Sequence, residues 1–269
     1  MKFPHQVVLI TGASSGIGEE LAVQLAAFGC KLGLMARRKE KLEHVARLVE
    51  DAGGVAMVLP CDVTDFDQIQ DGINQFAEAH GPVDCVVANA GTGQQVDALN
   101  FDAAETARVV NVNLLGMVNA FYAAVPQMLE RSHGHLVGVA SLASYQGMPQ
   151  DAGYAASKAA MRIHCESMRT ELRGSGVDVT CICPGFIRTP MTDTNDFDMP
   201  FLLEVDDACR RIVRAVAMRK RVYNFPWQLW WLIKIGMRTP RWIYDAVISS
   251  QSSKTAKSTR KQARSTEDK

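Results

Sequence analysis

The sequence predicts an α/β fold built on one doubly wound parallel β-sheet with helices on both faces. Between residues 6 and 183, short runs rich in β-branched residues alternate with longer amphipathic patterns of helical period. This alternation is typical of a parallel sheet. A glycine-rich turn follows the first run. At 269 residues, with 47% hydrophobic and 22% charged residues, the chain has the size and composition of one large globular domain.

The first predicted strand, residues 6–10, leads through Thr11 into the glycine-rich turn 12–18, and a helical pattern follows to residue 28. Glycine lets the backbone turn sharply and lets a phosphate approach without meeting a Cβ atom. The start of the helix offers free N–H groups and the positive end of its dipole. This Rossmann-type unit predicts dinucleotide binding, with a tight strand–helix connection as the alternative. The predicted cofactor contacts in the turn are Gly12, Ser14, Ser15, Gly16, Ile17 and Gly18.

The second predicted strand, residues 31–36, is followed by Arg37 and Arg38. An NAD-dependent enzyme of this type usually has an acidic residue here, which binds the ribose 2′-hydroxyl. In this chain no carboxylate would repel a 2′-phosphate, and Arg37 can bind one through charge-assisted hydrogen bonds. We therefore expect NADP(H) as the preferred cofactor and NAD(H) as the alternative. Otherwise the two arginines simply open a solvated helix.

Polar or small residues follow several of the later strands, at the edge where open parallel sheets bind ligands. Asp62 suits a contact to the adenine amine, and the backbone of Asn89-Ala90-Gly91 can lie against the cofactor. The stretch 186–207 is predicted to be a loop, either a mobile flap over a substrate or a plain connector. The later strands are predicted at 55–60, 83–88, 135–140, 177–183 and 221–225, and the later helices at 65–80, 103–130, 151–172 and 208–220.

Tyr154 and Lys158 lie four residues apart in the predicted helix 151–172, so their side chains share one face. A free phenol has a pKa near ~10 and exchanges protons poorly at neutral pH. A cation held close favours the phenolate and lowers that pKa, so the pair suits acid–base chemistry, although the spacing alone is common on helices. Tyr145 is a rival phenol without such a partner, because Pro149 occupies its i+4 position. We expect Tyr145 to line a pocket or to lie in the core.

Taken together, these residues resemble the short-chain dehydrogenase/reductase family between residues 7 and 191. The likeness is carried by the turn 11–18, Asp62-Val63, Asn89-Ala90-Gly91, Asn113, Ser141, Tyr154-x-x-x-Lys158 and Pro184-Gly185. All stand in the family's order. The resemblance implies a catalytic tetrad of Asn113, Ser141, Tyr154 and Lys158. It also implies that the cofactor contacts Asp62, Val63, Asn89, Ala90, Gly91, Tyr154, Lys158, Pro184, Gly185, Ile187 and Thr189.

The resemblance further implies an NADP(H)-dependent oxidoreductase that transfers a hydride to or from a carbonyl or alcohol group of a small molecule. Tyr154 would act as general acid or base, and Ser141 would stabilise charge on the substrate oxygen. Lys158 would lower the pKa of Tyr154 and bind the nicotinamide ribose. Asn113 would hold a water molecule linked to Lys158. The alternative is a catalytically silent protein that senses a dinucleotide or serves as a scaffold. The family also implies a homodimer or homotetramer.

Charge and aromatic residues are distributed unevenly along the chain. Residues 1–209 carry 14 Lys/Arg against 26 Asp/Glu, whereas residues 210–269 carry 15 against 3 and contain all four tryptophans. We divide the chain into a dinucleotide-binding and catalytic domain (1–225), an aromatic amphipathic helical extension (226–250) and a basic disordered tail (251–269). The apolar part of the extension is shorter than the ~20 residues that span a bilayer.

Three interpretations of the extension 226–250 stay open. Tryptophan together with basic residues suits the membrane–water interface, which predicts a peripheral membrane anchor. The others are a subunit interface and a hydrophobic lid, and a lid that touches lipid would suit a lipophilic substrate. We expect a cytoplasmic protein, associated with the cytoplasmic face of a membrane where the anchor operates, and no nucleic-acid partner.

Cysteines and histidines give no sign of a metal site. The seven cysteines contain no CxxC pair, which predicts free thiols in a reducing compartment. The N-terminal apolar run is too short for a signal peptide. The six histidines are expected to form no set, with His133 and His135 at the surface before a strand.

Overall fold

The computed structural model describes residues 3–93, 102–147, 149–193, 195, 197–240 and 242–245. These residues form a seven-stranded parallel sheet with the strand order β3-β2-β1-β4-β5-β6-β7. The predicted α/β class and doubly wound parallel sheet are thereby confirmed. The strands are β1 Val7–Thr11, β2 Lys31–Ala36, β3 Val55–Pro60, β4 Cys85–Ala88, β5 Gly134–Val139, β6 Val177–Pro184 and β7 Val222–Phe225.

Helices cover both faces of the sheet. They are α1 Gly16–Ala26, α2 Lys39–Asp51, α3 Phe66–His80, α4 Ala103–Val110, α5 Gly116–Glu130, α6 Ala152–Glu171, α7 Val205–Ala217 and α8 Trp227–Arg238. One core lies between the sheet and α1, α2 and α7. The other lies between the sheet and α3, α5 and α6. Strand β1 serves both, because its side chains alternate: Val8 and Ile10 join the first core, and Leu9 joins the second.

The strand order reverses at β1, which pairs with β2 on one side and with β4 on the other. In open α/β sheets the helices that follow such neighbouring strands diverge to opposite faces, which leaves a crevice beyond the carboxyl ends of the strands. The residues that follow β1, β2, β4 and β5 therefore meet at one edge of the sheet.

The helix predicted over 103–130 is not continuous α-helix. A π-helical turn, Asn111–Leu115, separates α4 from α5, and the Gly116 N–H donates to the Asn111 carbonyl oxygen five residues earlier. Such a turn widens the helix and shifts the direction of the side chains that it contains. The turn contains Asn113, which is fully buried.

The C-terminal extension begins with the helix α8, which starts directly after Pro226. Its inward side chains Leu229, Trp230 and Ile233 pack against the second core. The predicted disordered tail 251–269 lies outside the described residues, as do residues 246–250 of the predicted extension.

The expectation that the histidines form no set, with His135 at the surface, was wrong. His135 is fully buried on β5, where its Nδ1 atom lies 3.0 Å from Nε2 of His5. Its Nε2 atom lies 2.8 Å from Thr180 Oγ1. Cys85 on β4 completes a cluster in which one possible metal-ligand atom from each residue lies within 4.8 Å of the others. Three segments distant in sequence form this cluster, and no local periodicity reveals it.

We expect the two buried histidines to make folding sensitive to acid. Burial lowers the pKa of His5 from 6.5 to about 4 and that of His135 from 6.5 to about 3. Both histidines are neutral in the folded protein but bind a proton readily in the unfolded chain. Their contribution to the free energy of unfolding is therefore complete above pH 6.5 and is lost as the pH falls towards 4. Each pKa unit by which folding lowers the pKa of a histidine corresponds to about 1.4 kcal/mol. We therefore expect the free energy of unfolding to fall by at least about 2 kcal/mol between pH 7 and pH 4.

Urea unfolding of wild type and of a His5→Gln/His135→Gln variant across this pH range measures the effect. The variant is expected to show a flatter pH dependence. His44→Gln, on the exposed side of α2, is the matched control and should follow the wild type. Identical pH profiles for wild type and the double variant would show that the pair does not govern acid stability.

Candidate active site

A cleft of about 340 Å³ opens beyond the carboxyl ends of the central strands. Apart from Gly18 and Asn113, every residue predicted to bind cofactor or to act in catalysis lines it. The lining residues that the sequence analysis missed are Ala36, Cys61, Val112, Val139, Ala140, Pro190, Met191 and Thr192. Several of these stand at the ends of predicted strands. The rule that parallel sheets bind ligands at the carboxyl ends of their strands could have identified them as lining residues.

The glycine-rich turn is shaped by very close backbone packing. Gly12 has φ +68°, and a Cβ atom there would lie 2.7 Å from the Ala90 Cα. A Cβ atom at Gly18 would lie 2.3 Å from the Gly12 carbonyl oxygen. Gly18 therefore packs against the turn without lining the cleft. The lack of a side chain at Gly12 lets Ala90, in the segment after β4, pack against the turn.

Asn89 and Thr11 hold the ends of β1 and β4 together. The Asn89 Nδ2 donates to the carbonyl oxygens of Thr11 (3.2 Å) and Gly12 (3.3 Å). The Thr11 hydroxyl accepts from the backbone N–H groups of Asn89 and Ala90, both at 3.1 Å. These bonds fix the glycine-rich turn against the segment after β4. They leave the backbone of both segments facing the cleft, as a bound dinucleotide would require.

The two arginines after β2 point to different partners. Arg38 donates from one terminal nitrogen to the hydroxyls of Ser14 (2.8 Å) and Ser15 (3.1 Å). Arg37 is mostly exposed, and its guanidinium lies 3.9 Å from a carboxylate oxygen of Asp62. Arg38 rather than Arg37 therefore lies directly against the glycine-rich turn, which differs from the expected emphasis on Arg37.

Asp62 is held in place as an anion. Its Oδ1 atom accepts from the Thr64 N–H (2.9 Å) and the Thr64 hydroxyl (2.8 Å). The backbone hydrogen bond from Thr64 is the main cause that lowers the pKa of Asp62. The second carboxylate oxygen faces Arg37. Among the described residues Asp62 is the only acid that lines the cleft, and the positive charge of Arg37 partly offsets its negative charge.

Tyr154, Lys158 and Ser141 meet on one wall of the cleft. Tyr154 and Lys158 share a face of α6, with the Lys158 Nζ 5.7 Å from the centre of the Tyr154 ring. Ser141 follows β5, its Oγ donates to the Pro184 carbonyl oxygen at 3.5 Å, and it lowers the pKa of the nearby Tyr154 phenol. The Ala143 N–H donates to the Ser141 Oγ at 3.1 Å, which fixes the serine side chain. The helix face and the strand end thus place a hydroxyl, a phenol and an amine together.

Burial is the main influence on the pKa of Tyr154 in this structure, and the lowering expected from Lys158 together with a bound nicotinamide stays a prediction. Burial raises the pKa of Tyr154 to about 12, Ser141 has an opposing effect that lowers it, and the charge of Asp151 raises it further. Burial also lowers the pKa of Lys158 to about 8. The ammonium donates to the Val139 carbonyl at 2.8 Å. Desolvation penalises the charged form of both groups and is the largest cause of both shifts, so the phenol is a proton donor at neutral pH.

Asn113 lies behind Lys158 rather than in the cleft. Its Nδ2 donates to the Ser157 hydroxyl and to the Thr92 carbonyl, both at 2.9 Å. Its Oδ1 accepts from the Thr92 N–H at 2.7 Å. With these bonds the side chain joins the π-helical turn to α6 and to the segment after β4, which positions Lys158. The water contact implied for Asn113 stays a prediction.

Tyr145 is not among the cleft-lining residues that the structure describes. Its hydroxyl donates to the Asn224 side chain at 3.1 Å, and its ring centre lies 4.5 Å from that of Trp230. Of the two expectations for Tyr145, this packing favours the core. It also joins α8 to the short segment that follows Ser141.

The loop after β6 lies across the cleft from the glycine-rich turn. A Cβ atom at Gly16 would lie 3.2 Å from the Thr189 methyl group. The Thr192 hydroxyl donates to the Ile187 carbonyl at 2.8 Å, and Ile187 pairs with Leu203 in an isolated parallel bridge. These contacts join the two ends of the loop to each other, while the choice between flap and connector stays open.

Comparison with known proteins agrees with this geometry. A family model described as short chain dehydrogenase matches residues 6–199. This protein belongs to the short-chain dehydrogenases. An uncharacterized oxidoreductase of Myxococcus xanthus is 38% identical over 90% of this chain and 96% of its own length. A ketoacyl reductase, HetN, of a Nostoc species is 32% identical over 78% of this chain and 75% of its own.

A further relative, a dehydrogenase/reductase SDR family protein 7-like protein of Anopheles gambiae, is 38% identical over 70% of this chain and 61% of its own length. Membership makes this short-chain dehydrogenase an oxidoreductase that transfers hydride, in a family that uses NAD(H) or NADP(H). The glycine-rich turn fits such a cofactor, because Cβ atoms at Gly12 and Gly18 would meet backbone where the turn must stay tight.

Proposed function

We propose that this short-chain dehydrogenase reduces a carbonyl group of a lipophilic small molecule with NADPH, with Tyr154 as the proton donor. The observation that carries the proposal is the convergence of Ser141, Tyr154 and Lys158 on one wall of the cleft that the glycine-rich turn also lines. A bound NADPH would supply the hydride.

Each protein group has a role set by its chemistry. Negative charge develops on the carbonyl oxygen during reduction, and a fixed hydroxyl donor such as Ser141 stabilises that charge. Tyr154, whose pKa of about 12 keeps the phenol protonated, delivers the proton to the same oxygen. Lys158 shares that helix face, and its positive charge stabilises the phenolate left behind. Asn113 positions Lys158 through the bonds described above.

The NADP(H) preference is proposed from the charges around the glycine-rich turn. β2 ends at Ala36, so no carboxylate stands where the adenosine ribose would lie. Arg38 and the hydroxyls of Ser14 and Ser15 form a compact donor set. Arg37 lies on the Asp62 side of the same cleft. Together these donors suit the extra phosphate of NADP(H) better than a bare ribose hydroxyl.

Replacing Arg38 with alanine tests this preference. A hydrogen bond to a charged group is worth about 1.5 kcal/mol or more, so we expect the KM for NADPH to rise about tenfold. The KM for NADH should change little. Arg47→Ala, an exposed residue on α2, is the matched control. Equal effects on both cofactors would contradict the assignment of Arg38 to the 2′-phosphate.

The lipophilic character of the substrate is proposed from the position of α8, which packs against Gly185 at the lining of the cleft. A Cβ atom at Gly185 would lie 2.8 Å from the Leu229 side chain, so α8 packs directly beside the cleft. Rates of NADPH oxidation with aldehydes and ketones of increasing apolar size test this point. Catalytic efficiency is expected to rise with apolar size, whereas a preference for small polar carbonyls would contradict it.

A further inference from the structure

The helix α8 has an inner and an outer face with different surroundings. Trp227, Trp231, Leu232 and Ile235 are exposed by 65%, 53%, 54% and 61%, respectively. Trp227, Trp231 and Ile235 are spaced at intervals of four and so share the outer face. No residue of α8 is buried. Trp242, which follows the helix, is 74% exposed. Large apolar side chains thus cluster on one outward surface beside the cleft.

We propose that this outer face of α8 docks on the surface of a bilayer that contains anionic phospholipid. Helices with tryptophan and aliphatic residues on one side and cations at its margin lie in the membrane interface. This surface is distinct from the lining of the catalytic cleft, and its contact with lipid does not depend on which carbonyl compound is reduced.

The charges around α8 are complementary to anionic lipid. The Lys234 Nζ lies 5.0 Å from the centre of the Trp231 ring, and Arg238 is exposed near the end of the helix. The sequence of α8 contains no Asp or Glu. Residues 226–269 carry nine Lys/Arg against three Asp/Glu, whereas residues 1–225 carry 20 against 26. An anionic surface attracts this end of the chain and repels the remainder, which orients the molecule with α8 towards the lipid.

The length of α8 favours a helix that lies on the bilayer. Its 12 residues are far fewer than the ~20 needed to cross the hydrocarbon core. Among the described residues, one helical run, Ala103–Glu130, is long and apolar enough to cross a membrane by length and composition alone. Its side chains Phe121 and Met128 belong to the protein core.

A second copy of the chain fits this face less well than lipid does. In a symmetric dimer the same patch meets itself, which would bring Lys234 and Arg238 towards their own copies. No carboxylate on α8 would offset that repulsion. Anionic headgroups provide the missing negative charge, while the acyl region accepts the tryptophans.

The proposed docking face is connected to the catalytic segment. Trp230, on the inner side of α8, contacts Tyr145, and a Cβ atom at Gly236 would lie 2.9 Å from the Gln146 side-chain oxygen. The Tyr244 hydroxyl donates to the Gly147 carbonyl at 2.9 Å. α8 therefore packs on the residues that follow Ser141, so a docked bilayer would lie next to the cleft.

Co-sedimentation of the full-length protein with vesicles tests the proposal. Vesicles of phosphatidylcholine alone are compared with vesicles that also contain phosphatidylglycerol. Wild type is expected to bind the anionic vesicles more tightly, with an affinity that falls as salt rises. Trp231→Ser/Ile235→Ser and Lys234→Glu/Arg238→Glu are each expected to weaken binding by at least about tenfold. Phe66→Ser/Met218→Ser removes two side chains exposed elsewhere, 42% and 59%, and should bind as wild type does.

Thermal unfolding of every variant checks that the fold is retained, since all the altered side chains are at least partly exposed. Failure of wild type to bind anionic vesicles, or wild-type binding by the Trp231→Ser/Ile235→Ser variant, overturns the proposal. A concentration-dependent dimer of wild type that this variant dissociates, with vesicles binding neither protein, would show that α8 is a subunit interface instead.

Discussion

Replacing Tyr154 with phenylalanine is expected to lower kcat by about 10²- to 10⁴-fold, because the variant has no proton to give to the carbonyl oxygen. The phenol is the group that Ser141 contacts and that burial keeps protonated, with a pKa of about 12. Phenylalanine retains the ring, so packing beside Gly93 and on α6 should change little. Cofactor affinity, measured by fluorescence titration with NADPH, is therefore expected to stay close to that of the wild type.

Tyr145→Phe is the matched control for the loss of a phenol hydroxyl. Tyr145 donates to Asn224 and packs on Trp230, away from the lining of the cleft. Its kcat should remain within a few-fold of the wild-type value. If Tyr154→Phe reduced the substrate as fast as wild type, another group would have to supply the proton and the proposed mechanism would be wrong.

Replacing Gly18 with alanine is expected to weaken cofactor binding by about 10²-fold. The added Cβ atom would lie 2.3 Å from the Gly12 carbonyl oxygen and 2.7 Å from the Asn89 side chain. Both neighbours are held by other bonds, so the turn itself must shift. The turn relieves the overpacking by moving away from the position that binds the cofactor, so a return to that position on binding costs up to the about 1–3 kcal/mol typical of overpacking. The upper end corresponds to about 10²-fold in affinity. Calorimetric titration with NADPH measures the change.

Gly147→Ala serves as the control for this substitution, because a Cβ atom at that exposed position meets nothing within 4 Å. It lies outside the glycine-rich turn and does not line the cleft. Its cofactor affinity and thermal stability should match those of wild type. Wild-type NADPH affinity in the Gly18→Ala protein would show that the close approach to Gly12 does not shape the cofactor site.

Features that depend on neighbouring residues in the chain were predictable. The glycine-rich turn between β1 and α1 and the shared face of Tyr154 and Lys158 follow from local geometry. The α/β class follows from alternating periods. The rule that parallel strands end at one edge then placed Asp62, Asn89 and Ser141 together, although their sequence separations are large.

Features that depend on contacts between residues distant in the sequence could not be predicted. The different partners of Arg37 and Arg38 depend on where Asp62 and Ser14 come to lie. The π-helical turn at Asn113 depends on bonds to Thr92 and Ser157. The sequence showed that the tryptophans are concentrated in the C-terminal part of the chain. Which side of α8 faces the protein became clear only from the packing of Trp230 on Tyr145.

The sequence by itself determined the fold class, the position of the cofactor turn and the pairing of phenol and amine on one helix face. Only the tertiary structure decided that His5 and His135 form a buried pair and that burial raises the pKa of Tyr154. The physical reason is that periodicity and spacing are local properties of the chain. Burial and its desolvation cost, by contrast, depend on every segment that packs around a group.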